Sequence, residues 1–170
     1  MRQLYIMRHG KAEDPDFTKR DFDRNLVNRG QEDAKQIGKA LWNSFDDREK
    51  AAIREANSRV KLISSTANRA IQTAELVAKV FEFPSDRIQR EIEIYEAYHL
   101  DILKVINRVP DEVETVFIFG HNPGLSMLVN YLTDQHVDLK TANAAHLILD
   151  EKFTFAELSE QTATLQHVFE

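Results

Sequence analysis

Short apolar runs alternate with longer stretches of helical spacing through most of this chain. Gln3–Met7 is apolar, rich in β-formers and cut off by a charged turn, which predicts a buried strand. Val60–Ile63 predicts a second strand, and Thr115–Phe119, the most β-branched and aromatic of the three, a third. Between the first two, Ala34, Ile37, Ala40 and Leu41 recur at helical spacing from Asn28 to about Ser44. Asn28 is the candidate cap, with Glu32 and Asp33 read into a first turn where the dipole favours acid. Asp46–Asn57 reads as a second, more charged helix or an extension of the first. Ile71, Ala74, Ala78 and Phe81 mark a helix from Thr66 to about Phe83, ended by Pro84. Arg90–Tyr98 reads as extended or irregular, and His99–Arg108 as a short helix stopped by Pro110. Gly120–Gly124 turns into a helix reaching about Leu132, and His146–Leu149 and Ala163–Phe169 are two further strand candidates. Lys11–Val27, polar, irregular and carrying Pro15, reads as a long functional loop.

Strands alternating with helices predict an α/β protein, a three-layer α/β/α sandwich around a mostly parallel sheet. No repeat, low-complexity tract or linker divides the 170 residues, so one domain spanning residues 1–170 is expected. Ligands in such sheets bind outside the carboxyl ends of the strands. Applied here, that rule selects Arg8-His9-Gly10, Ser64-Ser65 leading to Arg69, and Gly120-His121-Asn122. Two histidines and two arginines converge on one edge.

Composition narrows what they serve. The formal net charge of −6 lacks the broad positive field that nucleic acid or an anionic membrane would require. Neither is expected as a partner. Cysteine is absent, which removes disulfides, thiolate zinc sites and cysteine nucleophiles together. Leu4–Met7 is followed at once by Arg8, His9 and Lys11, so no secretory segment is expected at the start. The longest stretch free of charged residues, Thr115–Thr133, is broken at its middle by the turn cluster Gly120–Gly124. A soluble, cytoplasmic protein is the expectation.

Taken singly, each selected residue is commoner in a plain role: a histidine after a strand as a turn residue, an arginine as a solvated or salt-bridged side chain. Three such fragments at the ends of three strands point instead to a site. Arg8 offers a planar fork to two phosphate oxygens, and Arg69 could approach from another side, near a helix N-terminus that also favours an anion. A phosphoryl group held this way has its charge met without metal, and one imidazole can attack phosphorus and carry the group covalently. His99, His136, His146 and His167 lack the paired spacing of a metal site, and no metal or other cofactor is expected. Gly120–Gly124 is not a nucleotide-binding fingerprint. Trp42, Phe153, Phe155 and Phe169 read as packing residues.

These fragments resemble the histidine phosphatase superfamily, also called the phosphoglycerate-mutase-like fold. The match is Leu4-Tyr5-Ile6-Met7-Arg8-His9-Gly10, then Ser64-Ser65-Thr66-Ala67-Asn68-Arg69-Ala70-Ile71-Gln72-Thr73-Ala74, then Gly120-His121-Asn122-Pro123-Gly124-Leu125-Ser126. The short length and the last segment are most similar to the SixA-type phosphohistidine phosphatases. The resemblance implies that His9 is the nucleophile that becomes phosphohistidine, with Arg8, Arg69 and His121 forming the phosphate pocket. His9 must then be neutral at its attacking nitrogen, and His121 serve as a donor or cation. Asp21-Phe22-Asp23-Arg24-Asn25-Leu26 resembles the family's Asp-x-x-Arg-x-Leu loop, which implies Arg24 as a further phosphate ligand and Asp21 as a proton donor or water activator. Glu96, in Ile94-Tyr95-Glu96-Ala97, is the weaker alternative donor, at roughly the position of the acid in larger members. Either acid would show the raised pKa of a buried carboxyl. Two departures stand out: Asn25–Val27 where relatives often carry Pro and Thr, and a longer charged stretch from Phe45 to Ser58.

The resemblance implies a metal-independent hydrolase releasing inorganic phosphate, most simply from phosphohistidine on a signalling or phosphocarrier protein. Two alternatives stay open: a phosphatase of a small phosphorylated metabolite or a mutase, and a non-catalytic phosphoprotein-binding module on the same fold.

Overall fold

The computed structural model describes residues 1–170. Its strands are β1 (Gln3–Arg8), β2 (Val60–Ser65), β3 (Gln89–Glu91), β4 (Thr115–Gly120), β5 (Ala144–Leu149) and β6 (Ala163–Phe169). Its helices are α1 (Asn28–Ser44), α2 (Asp47–Arg54), α3 (Asn68–Val80), α4 (His99–Asn107) and α5 (Gly124–Thr133). The six strands form one sheet in the order β3-β2-β4-β1-β5-β6. β1 to β4 run parallel, and β5 and β6 add an antiparallel edge.

The apolar runs of β1 and β4 are unbroken because both faces of the sheet are covered. Leu4 and Ile6 of β1 and Val116 and Ile118 of β4 enter a core with Ile102 and Ile106 of α4 and Leu125 and Leu128 of α5. The intervening residues Tyr5, Met7, Phe117 and Phe119 enter a second core with Ala34, Ile37 and Leu41 of α1 and Ile71, Ala74 and Val77 of α3. A period of two thus sorts one strand between two helical layers. Trp42 packs on the second core, with the Arg54 guanidinium 4.8 Å from its ring. Phe155 is buried and Phe169 half-buried against the same sheet.

Two helix starts differ from the sequence reading, and two readings left open are resolved. Asn28 is not the cap of α1: Val27 holds that place with no side-chain bond, and Glu32 and Asp33 lie beyond the first turn. A tertiary contact sets this start, because the Val27 N–H donates to the Lys11 carbonyl at 3.0 Å and Gly30 lies so close to Lys11 that a Cβ would collide with it. Of the two readings of Asp46–Asn57, a separate helix is observed. Buried Phe45 takes extended backbone, and Asp46 opens α2 by reciprocal hydrogen bonds with Glu49. α3 begins at Asn68 rather than Thr66, after the Ser65 hydroxyl captures the Ala67 N–H. Within the stretch read as extended or irregular, β3 is a three-residue edge strand followed by a single 3-10 turn, Ile92–Ile94.

Register then builds one end of the sheet. Arg8 stands opposite Gly120 and Ser64 opposite Phe119, so β1, β2 and β4 finish at one level. His9 and His121 are the next residues out. The segment leading into β5 pins this end from the other side: the Asn143 carbonyl accepts from Arg8 N–H at 3.0 Å, and Ala142 N–H donates to the His9 carbonyl at 2.9 Å. No helix is long and apolar enough to cross a membrane.

Candidate active site

His9 is held before its side chain does anything. Its N–H donates to the Gly120 carbonyl at 3.1 Å, complementing the bond at its own carbonyl. Gly10 packs against the Gly30 backbone with no room for a Cβ, which ties this turn to the start of α1. The imidazole is buried, with Nδ1 2.7 Å from the Gly10 carbonyl. A carbonyl only accepts, so Nδ1 carries the hydrogen and the lone pair sits on Nε2. Burial, then the charges of Arg69, Arg8 and Arg24, outweigh the Gly10 bond and push the pKa down to about 4. At neutral pH the ring is uncharged, with a fixed tautomer and a free lone pair on Nε2.

Arg8, the last residue of β1, donates through Nη1 to the Leu139 carbonyl at 3.1 Å, which also accepts from Asn122 Nδ2 at 2.7 Å. Its Nε is buried and unpartnered, as is the Nε of Arg69. Arg69, the second residue of α3, is buried and donates to Asp21 twice: Nη1 to the carbonyl at 2.7 Å and Nη2 to Oδ2 at 3.0 Å. Thr73, one turn on, accepts from Gly10 N–H and donates to the Arg69 carbonyl, fastening α3 to the His9 turn. Arg24 donates to Asp21 Oδ1 at 3.0 Å and to the Glu13 carbonyl at 2.6 Å.

Asp21 is therefore the hub of the cations rather than a poised acid. The Tyr95 hydroxyl also donates to its Oδ2, at 2.7 Å. Burial alone would raise its pKa, but the bonds from Tyr95 and Arg24 and the charge of Arg69 bring it down to about 2. The raised pKa expected of a proton donor is not what this geometry produces, since three donors stabilise the carboxylate. Glu96 lies outside the cluster: it is exposed, on left-handed backbone with φ 53°, while its neighbour Tyr95 faces inward.

His121 completes the group. Its ring centroid is 5.3 Å from that of His9 and 5.6 Å from that of Tyr95. Nε2 lies 2.8 Å from the Ser65 hydroxyl, and Nδ1 is buried without a partner. Burial, with His9 and Arg69, outweighs Asp21 and takes the pKa down to about 3. Of the two forms expected, donor or cation, the resting ring is not the cation.

The structure thus gathers Arg8, His9, Arg24, Arg69, His121 and Asp21 and leaves Glu96 out. Sequence reasoning gave no role to Tyr95, Thr73 or the Leu139 carbonyl, and placed Ser65 at the ligand edge without giving it a role of its own. The one available signal was adjacency, Tyr95 beside Glu96 and Ser65 within the second fragment.

Comparison with known proteins bears on the fold and the family. An uncharacterized chloroplastic protein of Arabidopsis thaliana is 26% identical over 159 residues, covering 86% of this chain. The chain spans 66% of the length of that curated relative. Among solved structures, one described as a candidate phosphohistidine phosphatase, SixA of Nakamurella multipartitia, superposes with a TM-score of 0.80 at 23% identity, over 99% of this chain and 95% of the other. The protein histidine phosphatase SixA complexed with tungstate gives 0.76 at 21%, over 99% and 96%. At these identities the likeness is one of fold. Residues 4–115, which include Arg8, His9, Arg24 and Arg69 and stop short of His121, match the family model of the histidine phosphatase superfamily (branch 1). The sheet that carries the two imidazoles and the family match that begins within its first strand have one reading: the chain belongs to the histidine phosphatase superfamily.

Proposed function

We propose that the protein is a phosphatase that works through a covalent phosphohistidine at His9, with phosphohistidine on another protein as its substrate. The observation that carries the reading is the His9 imidazole itself. Its Nδ1–H is fixed on the Gly10 carbonyl and its Nε2 lone pair is free among the charges of Arg8, Arg24 and Arg69. In the first step Nε2 attacks phosphorus, and the bond to the leaving group breaks with its electron pair going to that group. Water then attacks the phosphorus, the bond to His9 breaks, and inorganic phosphate leaves. Arg8, Arg24, Arg69 and His121 bind the phosphoryl oxygens, and this preset charge supplies the stabilisation that phosphoryl transfer needs.

Asp21 supports the choice of substrate. A carboxyl held near pKa 2 has no proton to give at neutral pH. Alkyl phosphates expel an alkoxide and need such a proton. Phosphohistidine protonated at its other ring nitrogen expels a neutral imidazole, whose conjugate acid has a pKa of roughly 6.5. SixA, named above as a protein histidine phosphatase, points the same way.

The test is a panel of a phosphohistidine peptide, an aryl phosphate and alkyl phosphates, run with chelator on the wild type and on His9→Ala. Phosphohistidine and aryl phosphate should turn over, sugar phosphates far more slowly. The variant should lose roughly 10⁴-fold or more, as removal of a covalent nucleophile does. Undiminished turnover by a folded His9→Ala would remove the nucleophile. A sugar phosphate preferred by orders of magnitude would move the reading to a small metabolite.

A further inference from the structure

Ser65 ends β2 with its side chain fully buried. Its Oγ has two polar neighbours, the Ala67 N–H at 3.2 Å and His121 Nε2 at 2.8 Å. A peptide N–H only donates, so Oγ accepts from Ala67 and must place its own hydrogen elsewhere. The acceptor within reach is His121 Nε2. The opposite assignment, with Nε2 donating, would bury the serine hydrogen without a partner, an arrangement native interiors avoid.

A neutral imidazole that accepts at Nε2 carries its hydrogen at Nδ1. That atom is buried and has no protein partner, on a ring 5.3 Å from His9. We propose that Ser65 is a positioning residue that holds His121 as its Nδ1–H tautomer, so that an uncharged ring donates a hydrogen bond to the phosphoryl group carried by His9. The inference rests on the reading of His9 as the phosphoryl acceptor. With the tautomer reversed, Nδ1 would carry a lone pair and have no hydrogen to give a phosphoryl oxygen. Burial among His9, Arg69 and Arg8 suppresses the imidazolium, which would otherwise donate from both nitrogens without help. Ser65 also joins two parts of the site, because the hydroxyl that orients His121 receives the Ala67 N–H just ahead of α3, whose second residue is Arg69.

The experiment is nitrogen-15 NMR of the imidazoles in the full chain, with His121 assigned by comparison with His121→Gln. The wild type should show His121 protonated at Nδ1 near neutral pH, and an Nε2–H form would overturn the proposal. In Ser65→Ala the signal should shift towards the Nε2–H form or a mixture, and kcat for an aryl phosphate should fall about 10- to 100-fold, approaching the cost of losing one preset donor. Ser65→Thr, which keeps the hydroxyl, should restore both. In a His121→Gln background Ser65→Ala should cost little more, because one residue acts through the other. Full additivity, or an unmoved tautomer in Ser65→Ala, would reduce Ser65 to a structural residue. Should the wild type lack phosphatase activity altogether, the proposed function fails while the tautomer is still read from the spectrum.

Discussion

His9 and His121 are imidazoles that the fold keeps uncharged, and this has a measurable cost in acid. Both bind a proton more weakly in the folded chain, at about 4 and about 3, than an unfolded histidine does at roughly 6.5. His146, lowered to about 4 by burial and by His167, behaves likewise. As pH falls through roughly 6.5 the unfolded chain takes up protons that the folded chain refuses, so stability present above that value is lost progressively towards pH 3. Urea midpoints at pH 7, 5.5 and 4.5 should fall in that order, and His121→Gln should flatten the decline; a level profile would contradict the burial of neutral rings. Arg8, His9, Arg69 and His121 could be grouped from the sequence because each ends a strand or follows one within a few residues. The state of Asp21 was not legible, since its acidity depends on Tyr95 and Arg69, brought from two distant segments, as well as on neighbouring Arg24. The bond from Ser65 to His121 joins residues 56 apart and leaves no local trace.

Strands and helices with strong periodicity were readable to within a few residues, and the misreadings fall where a distant contact decides an end. Asn28 was a sound local candidate for a cap, but Lys11 fixes the chain one residue earlier. Val27 consequently begins α1 with no side-chain acceptor for the free amides of the first turn. Val27→Thr keeps the branched shape and supplies an oxygen, so a gain of about 1 kcal/mol is expected. That would show in calorimetry as a rise in Tm of roughly 2–4 °C. No rise would mean that the first turn is already satisfied. β3 was illegible for a different reason: three residues with polar side chains at an edge carry no apolar alternation.

The layered architecture followed from the alternation of elements, whereas the direction of β5 and β6 did not, because an apolar pattern says which face is buried and nothing of chain sense. The sheet separates two cores, and this predicts independent energetics. Phe117 stacks 4.6 Å from Tyr5 and meets Phe45 and Phe81 edge-on, while Leu128 packs with the α4 side. Phe117→Ala should cost about 3–5 kcal/mol and Leu128→Ala about 2–5 kcal/mol. The double variant should cost their sum to within about 0.5 kcal/mol by urea denaturation, and a larger coupling would show that the sheet transmits repacking between its faces. Arg8 opposite Gly120 has one last consequence. His9 and His121 inherit their separation from the distance between adjacent strands, about 4.8 Å in any sheet. That ruler is cut into the backbone, so positions in the loops at 11–27 and 92–98 other than Asp21, Arg24 and Tyr95 can be rewritten for new visitors without recalibrating the pair beneath them.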